Sequence, residues 1–115
     1  MFHTLTSTGP DGVEDFQVEA AVVGGVARVI LHGEVDFSRL DQLDAALEDV
    51  ALEGVRFLQL DLSQLVFADT AAVRRLVAFT AAARQAGHQV ETLGATRSFH
   101  RVAAVLDVHD DLGFP

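Results

Sequence analysis

The sequence contains no cysteine and no lysine, and each absence excludes a class of chemistry. Without cysteine there is no disulfide, thiolate nucleophile or cysteine zinc site. Without lysine, Schiff-base catalysis, a P-loop and a receiver-type phosphorylation site are excluded, because each needs that side chain. Only 2 of the 115 residues are proline and 50% are hydrophobic, a composition that predicts one folded domain with its own core.

The charge is strongly acidic, with 17 Asp and Glu residues against 8 arginines and a net charge of -9. A field of this sign repels phosphate backbones and anionic membranes, so we expect neither nucleic-acid binding nor membrane insertion. The longest apolar stretch, 20–27, is far shorter than the roughly 20 residues of a membrane span, and 1–11 lacks the pattern of a signal peptide. We expect a cytoplasmic monomer, with a flexible segment over 1–12 and a folded domain over 13–115.

Hydrophobic periodicity predicts alternating strands and helices. Two β-rich runs joined by Gly24-Gly25 are typical of a hairpin. The predicted strands are 16–23, 26–32, 57–61 and 89–93, and the predicted helices begin after Ser38, at Thr70 and near Phe99. Because strand-helix-strand crossovers join parallel strands, the sequence predicts an α/β fold with a small mixed, mainly parallel sheet.

Polar side chains follow the predicted strands. They are Glu34 and Asp36 after the second strand, Asp61 and Ser63 after the third, and Asp69 and Thr70 at the start of the long helix. The carboxyl ends of parallel strands meet at one edge of a sheet, so we expect these residues to converge.

Thr70 is the most informative single position. A hydroxyl at a helix N-terminus faces unpaired backbone N–H groups and the positive end of the helix dipole, which favours a phosphate there. Alternatively, Asp69 or Thr70 simply caps the helix, a role worth about 0.5–2 kcal/mol. The two roles are compatible.

Three segments carry a family resemblance. They are Gly33-Glu34-Val35-Asp36, Leu58-Gln59-Leu60-Asp61-Leu62-Ser63, and Val66-Phe67-Ala68-Asp69-Thr70. Together they resemble the STAS domain of bacterial anti-sigma factor antagonists, over about 13–112. The resemblance implies one STAS-type domain with helices mainly on one face of the sheet. It also implies a binding module without enzymatic activity or cofactor.

The same resemblance implies a partner switch. In that family the unphosphorylated domain binds an anti-sigma factor that is a GHKL-type serine-threonine kinase, which frees the sigma factor, and phosphorylation after the Asp reverses this. Thr70 matches the phosphorylated position, and Asp36 and Asp69 match positions that shape the docking surface. Glu34 and Ser63 are candidate rim contacts. A phosphate on Thr70 would add its negative charge to those of Asp36, Asp61 and Asp69.

The sequence departs from the family pattern after Asp69. The usual Asp-Ser-Ser/Thr-Gly reads Asp-Thr-Ala-Ala here, which removes the second hydroxyl and the glycine. Arg74 and Arg75 stand where the family has small or apolar residues, and basic groups near a helix N-terminus oppose its dipole. Three alternatives follow for these two arginines: they pair with Asp69, they pair with a phosphate on Thr70, or they are solvated. Ala78, beside Phe79, belongs to partner surface or to the edge of the core.

Other functions remain as alternatives. The Asp-Thr-Ala run also resembles STAS subunits of phospholipid-transporting ABC transporters, and a constitutive scaffold is a third possibility. Asp36, Asp61 and Asp69 would have to converge to bind Mg²⁺ in a hydrolase. His109-Asp110-Asp111 is either a weak metal site or a solvated turn. We expect no metal site and no enzyme.

Overall fold

The computed structural model describes residues 16–114, so the predicted flexible segment 1–12 lies outside the described part of the chain. In residues 16–114 the strands are β1 (Phe16–Val23), β2 (Val26–Val35), β3 (Phe57–Ala68) and β4 (Gln89–Leu93). The helices are α1 (Leu40–Glu48), α2 (Thr70–Gln85) and α3 (Arg97–Leu106), with short 3-10 turns at Phe37–Arg39 and Asp110–Leu112. Among these helices, none is long and apolar enough to cross a membrane.

The sheet has the order β1-β2-β3-β4. β1 pairs with β2 in antiparallel orientation, whereas β2 with β3 and β3 with β4 are parallel. The hairpin turn places Gly24 and Gly25 at φ +59° and +80°, as a type I′ turn requires of both its central residues. These features confirm the predicted α/β fold with a mixed, mainly parallel sheet.

The core lies between the helices and one face of the sheet. Alternate strand residues such as Val18, Val29 and Leu60 are completely buried, and α2 adds Val73 and Leu76 from its inner side. α2 lies against β3 and β4 and also contacts α1 and α3. The opposite face of the sheet is more exposed and carries polar side chains together with a few apolar ones. Helices therefore cover mainly one face, as expected.

The C-terminal segment that follows α3 closes this core. Leu112 is completely buried. The Thr92 N–H of β4 donates to the Gly113 carbonyl at 3.0 Å, and the Thr80 hydroxyl of α2 donates to the Asp111 carbonyl at 3.3 Å. The segment therefore belongs to the folded domain.

Two strands run further than predicted. We expected β2 to end at His32 and β3 at Asp61, but they end at Val35 and Ala68. Register shifts between Ile30/His32 and Gly33/Glu34 interrupt the regular alternation, which hides the continuation from a periodicity analysis.

The longer β3 corrects the placement of two predicted site residues. Asp61 and Ser63 lie inside this strand, roughly 20 Å and roughly 15 Å from its end by strand rise. They do not converge with Asp36 and Asp69, which follow the strand ends.

Asp61 instead stabilises the irregular part of β3. The residue is only 4% exposed, and its carboxylate accepts hydrogen bonds from Arg28 Nη2 at 2.6 Å and from the Ser63 N–H at 2.9 Å. Burial by itself raises the pKa of Asp61, but the hydrogen bonds from Arg28 and Ser63 outweigh it and hold the pKa below its ordinary value of 3.8.

Asp61→Asn is expected to lower the free energy of unfolding at neutral pH by about 1–3 kcal/mol, because the buried Asp61 carboxylate loses its charge-assisted hydrogen bond from the half-exposed Arg28 side chain. The lowered folded-state pKa means that the ionised group stabilises the fold above about pH 3.8 and loses this effect as pH falls through the folded pKa. Chemical denaturation between pH 7 and pH 3 should therefore show the two proteins converging in acid. Glu91→Gln, which removes an exposed carboxylate of β4, is the control. A difference in unfolding free energy between the wild type and Asp61→Asn that does not change with pH would contradict this role of Asp61.

Candidate functional site

The site begins where β2 and β3 end side by side. Val35 pairs with Ala68, so the next residues, Asp36 and Asp69, share one edge of the sheet. The Asp69 N–H donates to the Val35 carbonyl at 3.3 Å, which continues the pairing by one residue. Of the residues that we expected to converge, Asp36 and Asp69 therefore lie side by side.

Asp69 joins two segments through its carboxylate. Oδ1 accepts the Ala72 N–H at 2.9 Å and caps α2, while Oδ2 accepts the Phe37 N–H at 2.9 Å from the loop after β2. The capping role expected for this pair of residues therefore falls to Asp69. The bridge fixes the start of α2 against the β2–α1 loop.

Asp36 organises the loop itself. Its Oδ1 accepts the Ser38 hydroxyl at 2.5 Å and the Ser38 N–H at 2.9 Å, which caps the short 3-10 turn. The Ser38 hydroxyl and N–H hold the pKa of Asp36 below its ordinary value. Asp36 therefore contributes a full negative charge to this edge at neutral pH.

Thr70 is the first residue of α2, and its side chain is exposed. Among residues 16–114, nothing forms a hydrogen bond with its hydroxyl. Asp69 already caps Ala72, whereas the N–H groups of Thr70 and Ala71 have no acceptor within the helix. The hydroxyl is accessible and lies at the positive end of the α2 dipole.

The family glycine is not needed for this geometry. Ala72 stands in its place, and its side chain is completely buried in the core while its N–H donates to Asp69. Replacing the glycine by alanine therefore leaves a regular capped helix start.

Two exposed aromatic side chains lie in the segments next to Thr70, and sequence reasoning missed them. Phe37 is 74% exposed and Phe67 is 43% exposed. Glu34, also exposed, pairs with Phe67 in the β2–β3 register. We call Glu34, Asp36, Phe37, Phe67 and Thr70 the Thr70 surface. Phenylalanine is normally a core residue, so no local pattern in the sequence indicated that Phe37 and Phe67 are exposed.

The two arginines of α2 behave differently. Arg75 forms an ion pair with Asp44 of α1, whereas Arg74 is exposed and has no polar partner within the described residues. The predicted alternative of pairing with Asp69 is wrong, because Asp69 binds backbone N–H groups. Arg74 lies four residues after Thr70, so the two share one side of the helix.

The remaining predicted residues lie apart from the Thr70 surface. Ala78 is exposed two turns further along α2, and Ser63 lies inside β3. Asp61 is far from Asp36 and Asp69, so the three carboxylates cannot share one Mg²⁺ ion. Within residues 16–114 there is no group of three or more His, Asp or Glu side chains that could hold a metal ion.

The sequence matches the family model described as Mlab, STAS domain, over residues 18–113. The chain belongs to the STAS domain family. No curated protein sequence matches it.

Solved structures share the fold of this STAS domain. An anti-sigma factor antagonist from Mycobacterium paratuberculosis is 17% identical with a TM-score of 0.71, covering 93% of this chain and 88% of that one. The anti-sigma factor antagonist SpoIIAA in its unphosphorylated form is 17% identical with a TM-score of 0.64, covering 87% of each chain. SLC26A9 is 13% identical with a TM-score of 0.60, covering 99% of this chain but 22% of its own. At these identities the similarity shows the fold alone.

Proposed function

We propose that this STAS domain is an anti-sigma factor antagonist that binds a kinase-type anti-sigma factor in a phosphorylation-controlled partner switch. The observation that carries the proposal is the exposed Thr70 hydroxyl at the capped start of α2. Thr70 is the phosphorylated residue, and Asp69 is the group that positions it.

The Thr70 surface has the composition of a docking site. Exposed Phe37 and Phe67 supply apolar area that a partner can desolvate, and aromatic anchors dominate the binding energy of protein interfaces. Glu34 and Asp36 supply charges at the rim that orient a basic group of the partner. The domain therefore binds through a preformed surface, without refolding.

Phosphorylation converts this surface into one that the partner rejects. The kinase transfers the γ-phosphoryl group of its own ATP, so a bond forms from phosphorus to Thr70 Oγ1, the bond to ADP breaks, and the hydroxyl proton leaves to the partner or solvent. The phosphate adds about -1.5 to -2 charge, which must be desolvated to rebuild the interface. Arg74 and the free N–H groups of α2 stabilise it in the unbound domain.

A second function has specific support. The matching family model is described by the name Mlab, and the fold is shared with a domain-sized part of SLC26A9. A STAS accessory subunit of a phospholipid-transporting ABC transporter would use the same surface without phosphorylation. A constitutive scaffold is equally compatible with Ala71 and Ala72 in place of the hydroxyl and glycine.

Affinity purification from the native cells tests the proposal. Tagged Thr70→Ala chain serves as bait because it cannot be phosphorylated at that position. We expect it to retain a GHKL-type kinase, and Phe37→Ser bait to lose it. Retention of an ABC nucleotide-binding subunit instead would replace the proposed function with the transporter role.

A further inference from the structure

A groove of about 350 Å³ runs between α1 and α2, outside the Thr70 surface. Leu47 and Phe79 form its apolar floor, and Ala78 lies exposed on the α2 side. Asp44 and Glu48 stand on the α1 side, where the Asp44–Arg75 ion pair spans the two helices. The groove therefore combines an apolar floor with a carboxylate wall.

The charge of α1 is unfavourable for the helix itself. Its only charged residues are acids, and its last turn contains Glu48 but no basic residue. Asp49 follows as the C-cap. Carboxylates at a helix C-terminus add to the negative end of the dipole and destabilise the helix. Within residues 16–114 no cation pairs with Glu48. Residues that break a local stability rule without compensation are expected where a function needs them.

We propose that this groove binds a basic amphipathic helix of a partner protein. The apolar side of that helix packs on Leu47 and Phe79, and its arginine or lysine side chains pair with Glu48 and the negative end of α1. Small Ala78 leaves room for the helix to approach α2 closely. This is the helix-in-groove mode of recognition, with charge complementarity setting the orientation.

We take the occupant to be a different protein, because two copies of this chain, each with a net charge of -9, repel one another as they approach. The inference rests on the proposed role as a protein-binding domain but not on phosphorylation of Thr70. The groove starts roughly 7 Å along α2 from Thr70, so one partner can reach both.

The test uses the full chain labelled with ¹⁵N and a synthetic amphipathic peptide of about 15 residues, with leucines on one face and arginines beside them. We expect amide shifts confined to 44–49 and 75–79, and none with a peptide in which glutamates replace the arginines. Glu48→Arg should weaken binding at least about tenfold without destabilising the fold, because a cation suits the C-terminus of α1.

Matched variants separate the possible outcomes. Glu53→Arg makes the same charge change in an exposed turn outside the groove and should alter affinity by less than about twofold. The peptide test uses neither phosphorylated Thr70 nor the kinase-type partner, so failure of the phosphorylation switch and failure of this inference are distinguishable. Shifts scattered over the acidic surface, equal losses in Glu48→Arg and Glu53→Arg, or self-association through the groove would each overturn the proposal.

Discussion

Thr70→Asp is expected to bind the purified kinase-type partner at least about thirtyfold more weakly than Thr70→Ala, a difference of about 2 kcal/mol. The added carboxylate must be desolvated beside Asp36 and Asp69 when the interface forms. The fold should survive, since an acid in the first turn of α2 suits the helix dipole. Calorimetric titration of both variants with the partner measures the difference.

Thr96→Asp provides a matched control for this charge. Thr96 caps α3 by accepting the Phe99 N–H at 3.2 Å, and aspartate is at least as good a cap as threonine. The variant therefore adds the same charge at another helix start, away from the Thr70 surface. Equal affinities of Thr70→Asp and Thr70→Ala would show that charge at this position does not control binding.

Gly94→Ala is expected to cost about 2–4 kcal/mol of unfolding free energy, the largest stability effect we predict. Gly94 has φ +77°, and a Cβ there would lie 2.8 Å from Ser63 Cβ and 3.1 Å from Asp61 Oδ1. The methyl group would press on the irregular segment of β3 that Asp61 holds. Chemical denaturation, monitored by circular dichroism, measures the loss of unfolding free energy.

Gly24→Ala separates crowding from backbone strain. Gly24 also has a positive φ, +59°, but a Cβ added there meets nothing within 4 Å. Its substitution should cost only the conformational strain, about 1–2 kcal/mol. If Gly94→Ala and Gly24→Ala lower the unfolding free energy by the same amount, the close approach of Gly94 to β3 does not matter for stability.

Local signals in the sequence predicted much of the fold. Gly24-Gly25 placed the hairpin, and Asp69 with the following apolar periodicity placed the start of α2. Both depend on interactions within a few residues, which a sequence displays directly. The part of the candidate site at the start of α2, Asp69 and Thr70, was predicted from the same kind of local signal.

Features that depend on distant segments could not be predicted. Asp61 ends an apolar run and so resembled a strand end, but Arg28 of the neighbouring strand makes its burial possible. The Asp44–Arg75 pair exists only because α1 and α2 pack together. Exposure of Phe37 follows from the bridge to Asp69, which no local pattern reveals.

Intact-mass analysis of the chain purified from its native cells, with fragmentation across 69–75, tests the central claim most directly. A phosphate-sized mass increment on Thr70 in part of the population is the expected result, because the hydroxyl is exposed at the start of α2. The unmodified fraction should retain the kinase and the modified fraction should not. An unmodified Thr70 under all growth conditions, in a chain that still retains its partner, would contradict the switch.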